Sequence, residues 1–176
     1  MHEENIKKFV ACLEEELKEI KNRVVLSKTT SALEHFMVDA VERAAIESGF
    51  FPCEEVSYSA IKAGGKGKKS LDLVLFDEQG RGVAAVEIEQ AGKVENAVNR
   101  LRGVKIPWKI LVVHSLREKR DKEWEDKVWE YTKALAQTVM NEDKQSRWLF
   151  LRILSHDEPW KEGLSRRIFG KIESFP

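Results

Sequence analysis

The sequence predicts an α/β fold with a central mixed sheet of about five strands, flanked by helices and preceded by an added N-terminal helix. Apolar residues recur every three or four positions in 2–24, 31–48 and 116–140, which is the spacing of one helix face. Short apolar or alternating runs lie between and after these segments, as expected of strands. Helices and strands that alternate in this way bury their apolar faces by packing helices onto a sheet.

The chain of 176 residues is 42% hydrophobic and 34% charged, which is typical of one globular domain spanning 1–176. No apolar run is long enough for a membrane span, and the charged start MHEENIKKF lacks the apolar core of a secretion signal. We therefore expect a cytoplasmic protein with no membrane partner. Cys12 and Cys53 are too few and too far apart for a disulfide framework or a structural zinc site.

Residues 2–24 predict the N-terminal helix, whose apolar stripe consists of Ile6, Val10, Leu13, Leu17, Ile20 and Val24. We expect this stripe to pack on its own domain. A homodimer through this helix is the alternative, because such a stripe can also pair with a partner helix. The second helix ends at Gly49.

The strands are predicted from about 54–61, at 70–76 and at 83–89, and the last two form a hairpin around the turn 77–82. A short helix at 92–103 follows, with Val94, Ala97, Val98 and Leu101 expected to face inward, and then an apolar strand at 108–114. A long helix at 116–140 then leads to a fifth strand at 148–154. The tail after Pro159 is ambiguous, with one or two helical turns expected around 164–169.

Three carboxylates lie within the apolar strands of the hairpin. Asp72 lies in SLDLVLF, and Glu87 and Glu89 lie in VAAVEIE, where two-residue spacing puts them on one face. A hairpin that is symmetric about 77–82 places Asp72 opposite Glu87, whereas a bulge at Gly80 or Gly82 would shift the pairing by one residue.

Opposed carboxylates repel each other, so a compensating positive charge is expected. A hard divalent cation such as Mg²⁺ prefers oxygen ligands and fits such a cluster. Ordinary ion pairs with Lys69, Arg81 or Lys93 would also compensate, and the spacing alone leaves both possibilities open.

The element order resembles the core of the PD-(D/E)XK nuclease superfamily, the restriction-endonuclease-like fold: a helix with a glutamate, a strand, a strand with Asp, a strand with Glu-x-Lys, a helix and a strand. The segments SALEHFMVDAVERAAIESGF, SLDLVLF and GVAAVEIE are most similar in spacing to archaeal Holliday-junction resolvases. The resemblance covers about 31–114, and 116–176 adds a C-terminal helix and strand.

This resemblance implies a nuclease that hydrolyses DNA phosphodiester bonds with Mg²⁺, or Mn²⁺ as a substitute, held by Asp72, Glu87 and Glu34. Glu34 lies at the border of the apolar stripe of its helix and is otherwise a solvated residue of the first turn. The motif lysine is replaced by Glu89, and either Glu89 or the substrate phosphate would accept the proton of the attacking water. Lys93, at the start of the next helix, is the candidate for the missing ammonium, or else a solvated lysine.

DNA contacts are expected from the middle of the chain, because residues 61–122 carry 14 Lys and Arg against 8 Asp and Glu. Lys66, Lys68 and Lys69 lie in a glycine-rich loop directly before the strand of Asp72, and Arg100 and Arg102 form a second basic set. A solvated turn is the alternative for the loop.

The leading hypothesis is therefore a metal-dependent DNA nuclease. A catalytically inactive nuclease-like fold that binds DNA or protein is the alternative that the missing lysine favours. A partner-binding scaffold with ordinary ion pairs is the third.

Overall fold

The structure is a computed structural model that describes residues 2–19, 30–58, 69–90, 92–114, 122–159 and 165–175. Its helices are α1 (His2–Glu19), α2 (Thr30–Glu47), α3 (Val94–Arg102) and α4 (Lys122–Glu142). Its strands are β1 (Phe51–Tyr58), β2 (Lys69–Phe76), β3 (Gly82–Gln90), β4 (Trp108–His114), β5 (Arg147–Pro159) and β6 (Ser165–Phe175). Within these ranges, no helix is long and apolar enough to cross a membrane.

The strands form one six-stranded mixed sheet in the order of the chain. β1, β2 and β3 are antiparallel neighbours, β3, β4 and β5 are parallel, and β6 is antiparallel to β5. α3 and α4 are the crossovers of the two parallel steps, and right-handed crossovers that advance in one direction place their helices on the same face. This confirms the predicted α/β class with a mixed sheet, which has one strand more than expected.

The sheet separates two apolar clusters. α1 and α2 pack on one face, against Leu73, Val86 and Val112 among others. α3 and α4 pack on the other face, against Ala85, Leu111 and similar side chains. Since Ala85 belongs to this second cluster, the alternation of β3 directs Glu87 and Glu89 toward α3 as well.

The described part of the predicted stripe of α1 packs within its own chain. Ile6, Leu13 and Leu17 are buried beneath α2 and Val10 is half-buried, whereas Phe9, which is buried beside them, was not among the predicted residues. The apolar face of α1 that suggested a homodimer is therefore already covered by the same chain. Ile20 and Val24, the last predicted members of the stripe, lie outside the described residues.

The prediction of helical turns near 164–169 was wrong, because the tail forms β6. β5 continues to Pro159 rather than ending near 154, and β6 pairs along it. Ile172 lies opposite Ile153, and both are buried in the α1–α2 cluster. This long-range pairing provides backbone hydrogen bonds and apolar burial that local sequence preference does not reveal.

Candidate active site

The hairpin has the predicted register. Leu73 pairs with Val86, and continuing this register by one residue places Asp72 opposite Glu87. The register does shift once, but between Leu75 and Phe76, on the turn side of these pairs. The shift therefore leaves the carboxylates in the predicted alignment.

The turn that sets this register is held by Asp77. Its Oδ1 atom accepts hydrogen bonds from the backbone N–H groups of Gln79 at 3.0 Å and Arg81 at 2.9 Å. Gly80 takes a φ of 71°, a left-handed conformation that glycine adopts without steric cost. Arg81 also donates to the Asp77 carboxylate, so it is occupied at the turn rather than at Asp72 or Glu87.

Asp72 lies where the regular backbone pairing of β2 is interrupted. The described pairing with β3 ends at Leu73, and Glu55 of β1, opposite Asp72, has a φ of 48°. Such a φ is uncommon for a residue other than glycine. The Oδ2 atom of Asp72 accepts a hydrogen bond of 2.7 Å from the backbone N–H of Ile88. The carboxylate thus takes the place of a backbone acceptor between β2 and β3.

Glu87 is a buried acid paired with a residue from α3. Its side chain is 0% exposed, and its Oε2 atom accepts hydrogen bonds from Nε of Arg100 at 2.8 Å and from Nη2 at 2.5 Å. Nη2 also lies 3.3 Å from Oε2 of Glu89. The second oxygen of Glu87, Oε1, is buried without a hydrogen-bond partner in the part of the chain that the structure describes.

The amphipathic character of α3 places Arg100 beside these acids. Four residues of the helix are buried against the sheet, and Arg100 lies at the edge of that apolar face; the four are Val94, Ala97, Val98 and Leu101. The sequence predicted the same four inward positions but assigned Arg100 to DNA. The structure instead joins it to Glu87 and Glu89, so the ion-pair possibility is realised by a residue other than those considered.

Burial raises the pKa of Glu87 to about 7, and the charges of Asp72 and Glu89 act in the same direction, whereas Arg100 opposes them. The hydrogen bond to Glu87 raises the pKa of Arg100 above its usual value, so the guanidinium remains charged. The cluster therefore combines three carboxyl groups with one permanent cation.

An open cleft of about 530 Å³ gives access to this cluster from the α3 side. Its lining residues are polar: Ser70, Asp72, Asn96, Asn99 and Arg100. The volume is in the range of small-ligand sites. Asn96 and Asn99 were not predicted, although their spacing of three on an amphipathic helix places them on one side of it.

Lys93 lies at the N-cap position of α3 and lines a second cleft of about 500 Å³ together with Lys127 and Tyr131. The two clefts share Asn96. Lys93 is thus placed beside the acidic cleft rather than in its lining.

The structure describes only the backbone of Glu34, within α2. The buried residues of α2, such as Met37 and Val41, pack on the face of the sheet opposite Arg100. The side chain of Glu34 lies outside the described residues, so its predicted role in the site stays a prediction.

The predicted DNA-binding residues fall into two groups. Lys66 and Lys68 lie outside the described residues, and Lys69 is described only as the first backbone position of β2. Arg102 forms an ion pair with Glu142 of α4. Arg100, paired with Glu87, and Arg102 are therefore both engaged in ion pairs within the chain.

Among the described residues, no group of three or more His, Cys, Asp or Glu side chains is arranged to hold a metal ion. Mg²⁺ commonly uses one or two carboxylates and completes its coordination with water and substrate phosphate. Asp72 and Glu87 are close enough to interact electrostatically, and Oε1 of Glu87 is a buried oxygen with no described hydrogen bond. These two residues therefore fit an oxygen-preferring cation.

Neither a protein-family model, nor a curated protein, nor a solved structure matches this chain.

Proposed function

We propose that the protein is a cytoplasmic, metal-dependent nuclease that hydrolyses DNA phosphodiester bonds. The observation that carries this proposal is the approach of Asp72 and Glu87 at the point where β2 and β3 separate, beside an open polar cleft. The element order α2-β1-β2-β3-α3-β4 supports the resemblance to the restriction-endonuclease-like core.

In this proposal Asp72 and Glu87 hold Mg²⁺, and Mn²⁺ can substitute. When bound, the ion lowers the pKa of a water molecule and offsets charge on the phosphate. The carboxylate of Asp72 is held by the hydrogen bond from Ile88, and that of Glu87 by its burial in the sheet. Both carboxylates are therefore in position before an ion binds. Glu34 remains the candidate for a third carboxylate.

Two further residues have roles in the proposed reaction. Glu89 replaces the lysine of the motif and accepts the proton of the attacking water, as a carboxylate can. Arg100 lines the cleft and supplies the positive charge that the motif lysine would otherwise provide to the phosphate. Its guanidinium is a donor from α3, so Lys93 is no longer required for this charge.

DNA would approach along the loop that precedes β2. Lys69 begins β2, and Ser70 next to it lines the cleft, so the backbone of Lys69 lies beside the proposed site. Lys66, Lys68 and Lys69 are therefore the candidates for contacts with the DNA backbone, which supply affinity independent of sequence.

The direct test is cleavage of duplex, single-stranded and branched DNA by the purified protein with Mg²⁺ or Mn²⁺. We expect Asp72→Asn and Glu87→Gln to abolish cleavage. Glu78→Gln is the matched control, since it removes an exposed carboxylate from the turn of the same hairpin. Full activity in both site variants would reject the proposal.

A second candidate is an inactive nuclease-like fold that binds DNA. The ion pair between Arg100 and Glu87 favours it, because a resident cation already neutralises a proposed metal ligand. This candidate is supported if the protein retains DNA in a strongly salt-dependent manner but cleaves none with any divalent ion.

A further inference from the structure

We propose that Arg100 is the built-in counter-cation of the acidic cluster and that it competes with the divalent ion for Glu87. Metal binding would then require the guanidinium to release this carboxylate. The inference rests on the metal-binding part of the proposed function and adds to it a means of controlling the same site.

The contacts of Arg100 define the competition. Its guanidinium donates through Nε and Nη2 to one oxygen of Glu87, and Nη2 also faces Glu89 at 3.3 Å. Asp72 stabilises the same charge electrostatically. One guanidinium therefore interacts with Asp72, Glu87 and Glu89, the three carboxylates of the cluster, and a metal ion bound there would neutralise the same charges.

The two partners differ in their freedom to move. Glu87 is 0% exposed in a central strand, whereas the side chain of Arg100 is 27% exposed and lines the open cleft. Arginine also has a long side chain with many rotamers. The guanidinium can therefore swing into the cleft while Glu87 stays in place.

Burial makes this exchange of cations necessary. A carboxylate in a buried position is costly when it is charged and unpaired. Arg100 provides the compensating charge in the metal-free fold. A divalent ion at Asp72 and Glu87 would provide it instead, and repulsion between the two cations would then favour release of the guanidinium.

The released guanidinium would lie in the cleft beside Asn96 and Asn99. A planar guanidinium is well suited to bidentate hydrogen bonds with a phosphate group. Metal binding would thus make a phosphate-binding group available, so that metal and DNA would bind cooperatively.

The test measures Mn²⁺ affinity by isothermal titration calorimetry for the wild type, Arg100→Gln and Arg102→Gln. Arg102 is the matched control, since it lies on the same helix and pairs with a glutamate outside the cluster. We expect the Kd for Mn²⁺ to fall by about tenfold or more in Arg100→Gln, as expected when a competing charge is removed, and to stay unchanged in Arg102→Gln. Adding Asp72→Asn should remove Mn²⁺ binding both from the wild type and from Arg100→Gln.

A second measurement avoids mutation of Arg100. In the wild type, the NMR signal of its Nε–H group should shift as Mg²⁺ is added, because its hydrogen bond to Glu87 is lost. The corresponding signal of Arg102 should not move. This experiment decides the question if Arg100→Gln does not fold.

The outcomes separate the two proposals. Binding of Mn²⁺ that depends on Asp72 but is no tighter in Arg100→Gln, with an unchanged Arg100 signal, would overturn the competition and leave the metal site standing. No binding of Mn²⁺ by the wild type or by Arg100→Gln would overturn both.

Discussion

The carboxylate of Asp72 accepts a hydrogen bond of 2.7 Å from the backbone N–H of Ile88, at the point where β2 and β3 cease to pair. This bond satisfies a donor that would otherwise lack its partner strand. It also orients a carboxylate toward the cleft between β2 and α3. Asp72 therefore has both a structural and a proposed chemical role, and the two can be separated by substitution.

We expect Asp72→Ala to lower the free energy of unfolding by about 1–2 kcal/mol, because the N–H of Ile88 loses its acceptor. Asp72→Asn should cost less, since an amide oxygen can accept the same bond while the charge is lost. Urea unfolding of both variants checks this. Equal losses would mean that the charge of Asp72, rather than this hydrogen bond, stabilises the fold.

The buried acid Glu87 predicts a pH dependence of stability. Its pKa is raised from 4.5 to about 7 in the fold, so between these values the folded state holds a proton that the unfolded chain has lost. The contribution of this group is complete below pH 4.5 and is lost as pH rises through 7. Relative to Glu87→Gln, the metal-free wild type should lose on the order of 3 kcal/mol between pH 4 and 8.

Chemical unfolding of the wild type and Glu87→Gln at several pH values measures this difference. Glu78→Gln, which removes an exposed carboxyl group from the turn of the same hairpin, is the control. A difference between wild type and Glu87→Gln that is constant from pH 4 to 8 would show that Glu87 titrates as an ordinary carboxyl group.

Asp143 is expected to give a pH dependence of stability opposite to that of Glu87. Burial acts to raise its pKa, but hydrogen bonds from Lys109, Ser146 and Trp148 together lower it from 3.8 to about 2. Stability from this group is therefore present above pH 4 and is lost as pH falls through 2. Asp143→Asn should cost about 2 kcal/mol at pH 7, and the cost should vanish near pH 2.

Lys109 tests the same interaction from the other side. Its side chain is 4% exposed and its Nζ atom lies 2.8 Å from Oδ2 of Asp143. Lys109→Met should therefore reduce the pH dependence that Asp143 produces, as followed by unfolding between pH 2 and 7. If acid unfolding were identical in Lys109→Met and the wild type, Lys109 would not be the cause of the lowered pKa.

Leu13 of α1 is fully buried, so its truncation should strongly lower the stability of the fold. Leu13→Ala should lower the free energy of unfolding by about 2–5 kcal/mol, because it leaves a cavity in the α1–α2 cluster. Glu15→Ala, at an exposed position of the same helix, is the control. A stability of the wild type that rises with protein concentration would instead indicate that α1 packs against a second copy.

Local chemistry explains which features could be predicted from the sequence. The register of the hairpin depends on its turn residues and on apolar strands of matched length, so the alignment of Asp72 with Glu87 follows from nearby residues. The buried face of α3 was predicted from its spacing for the same reason. These features position the candidate site.

Long-range packing determines the remainder. The contact between Arg100 and Glu87 depends on how α3 is rotated about its axis over the sheet. The spacing of the apolar residues identifies the buried face of α3 but does not fix this rotation closely enough to predict the contact. β6 depends on pairing with a strand that precedes it in the chain, and its alternating pattern is interrupted by charged residues and Gly170. Neither relationship is encoded within a short window of sequence.

The most direct measurement is the anomalous difference density of a crystal soaked in Mn²⁺. A nuclease site of the proposed kind predicts an ion within about 2–2.5 Å of carboxylate oxygens from both Asp72 and Glu87, with Arg100 turned away from Glu87. The contradicting result is a crystal at saturating Mn²⁺ that has no ion between these carboxylates while the Arg100–Glu87 pair remains in place.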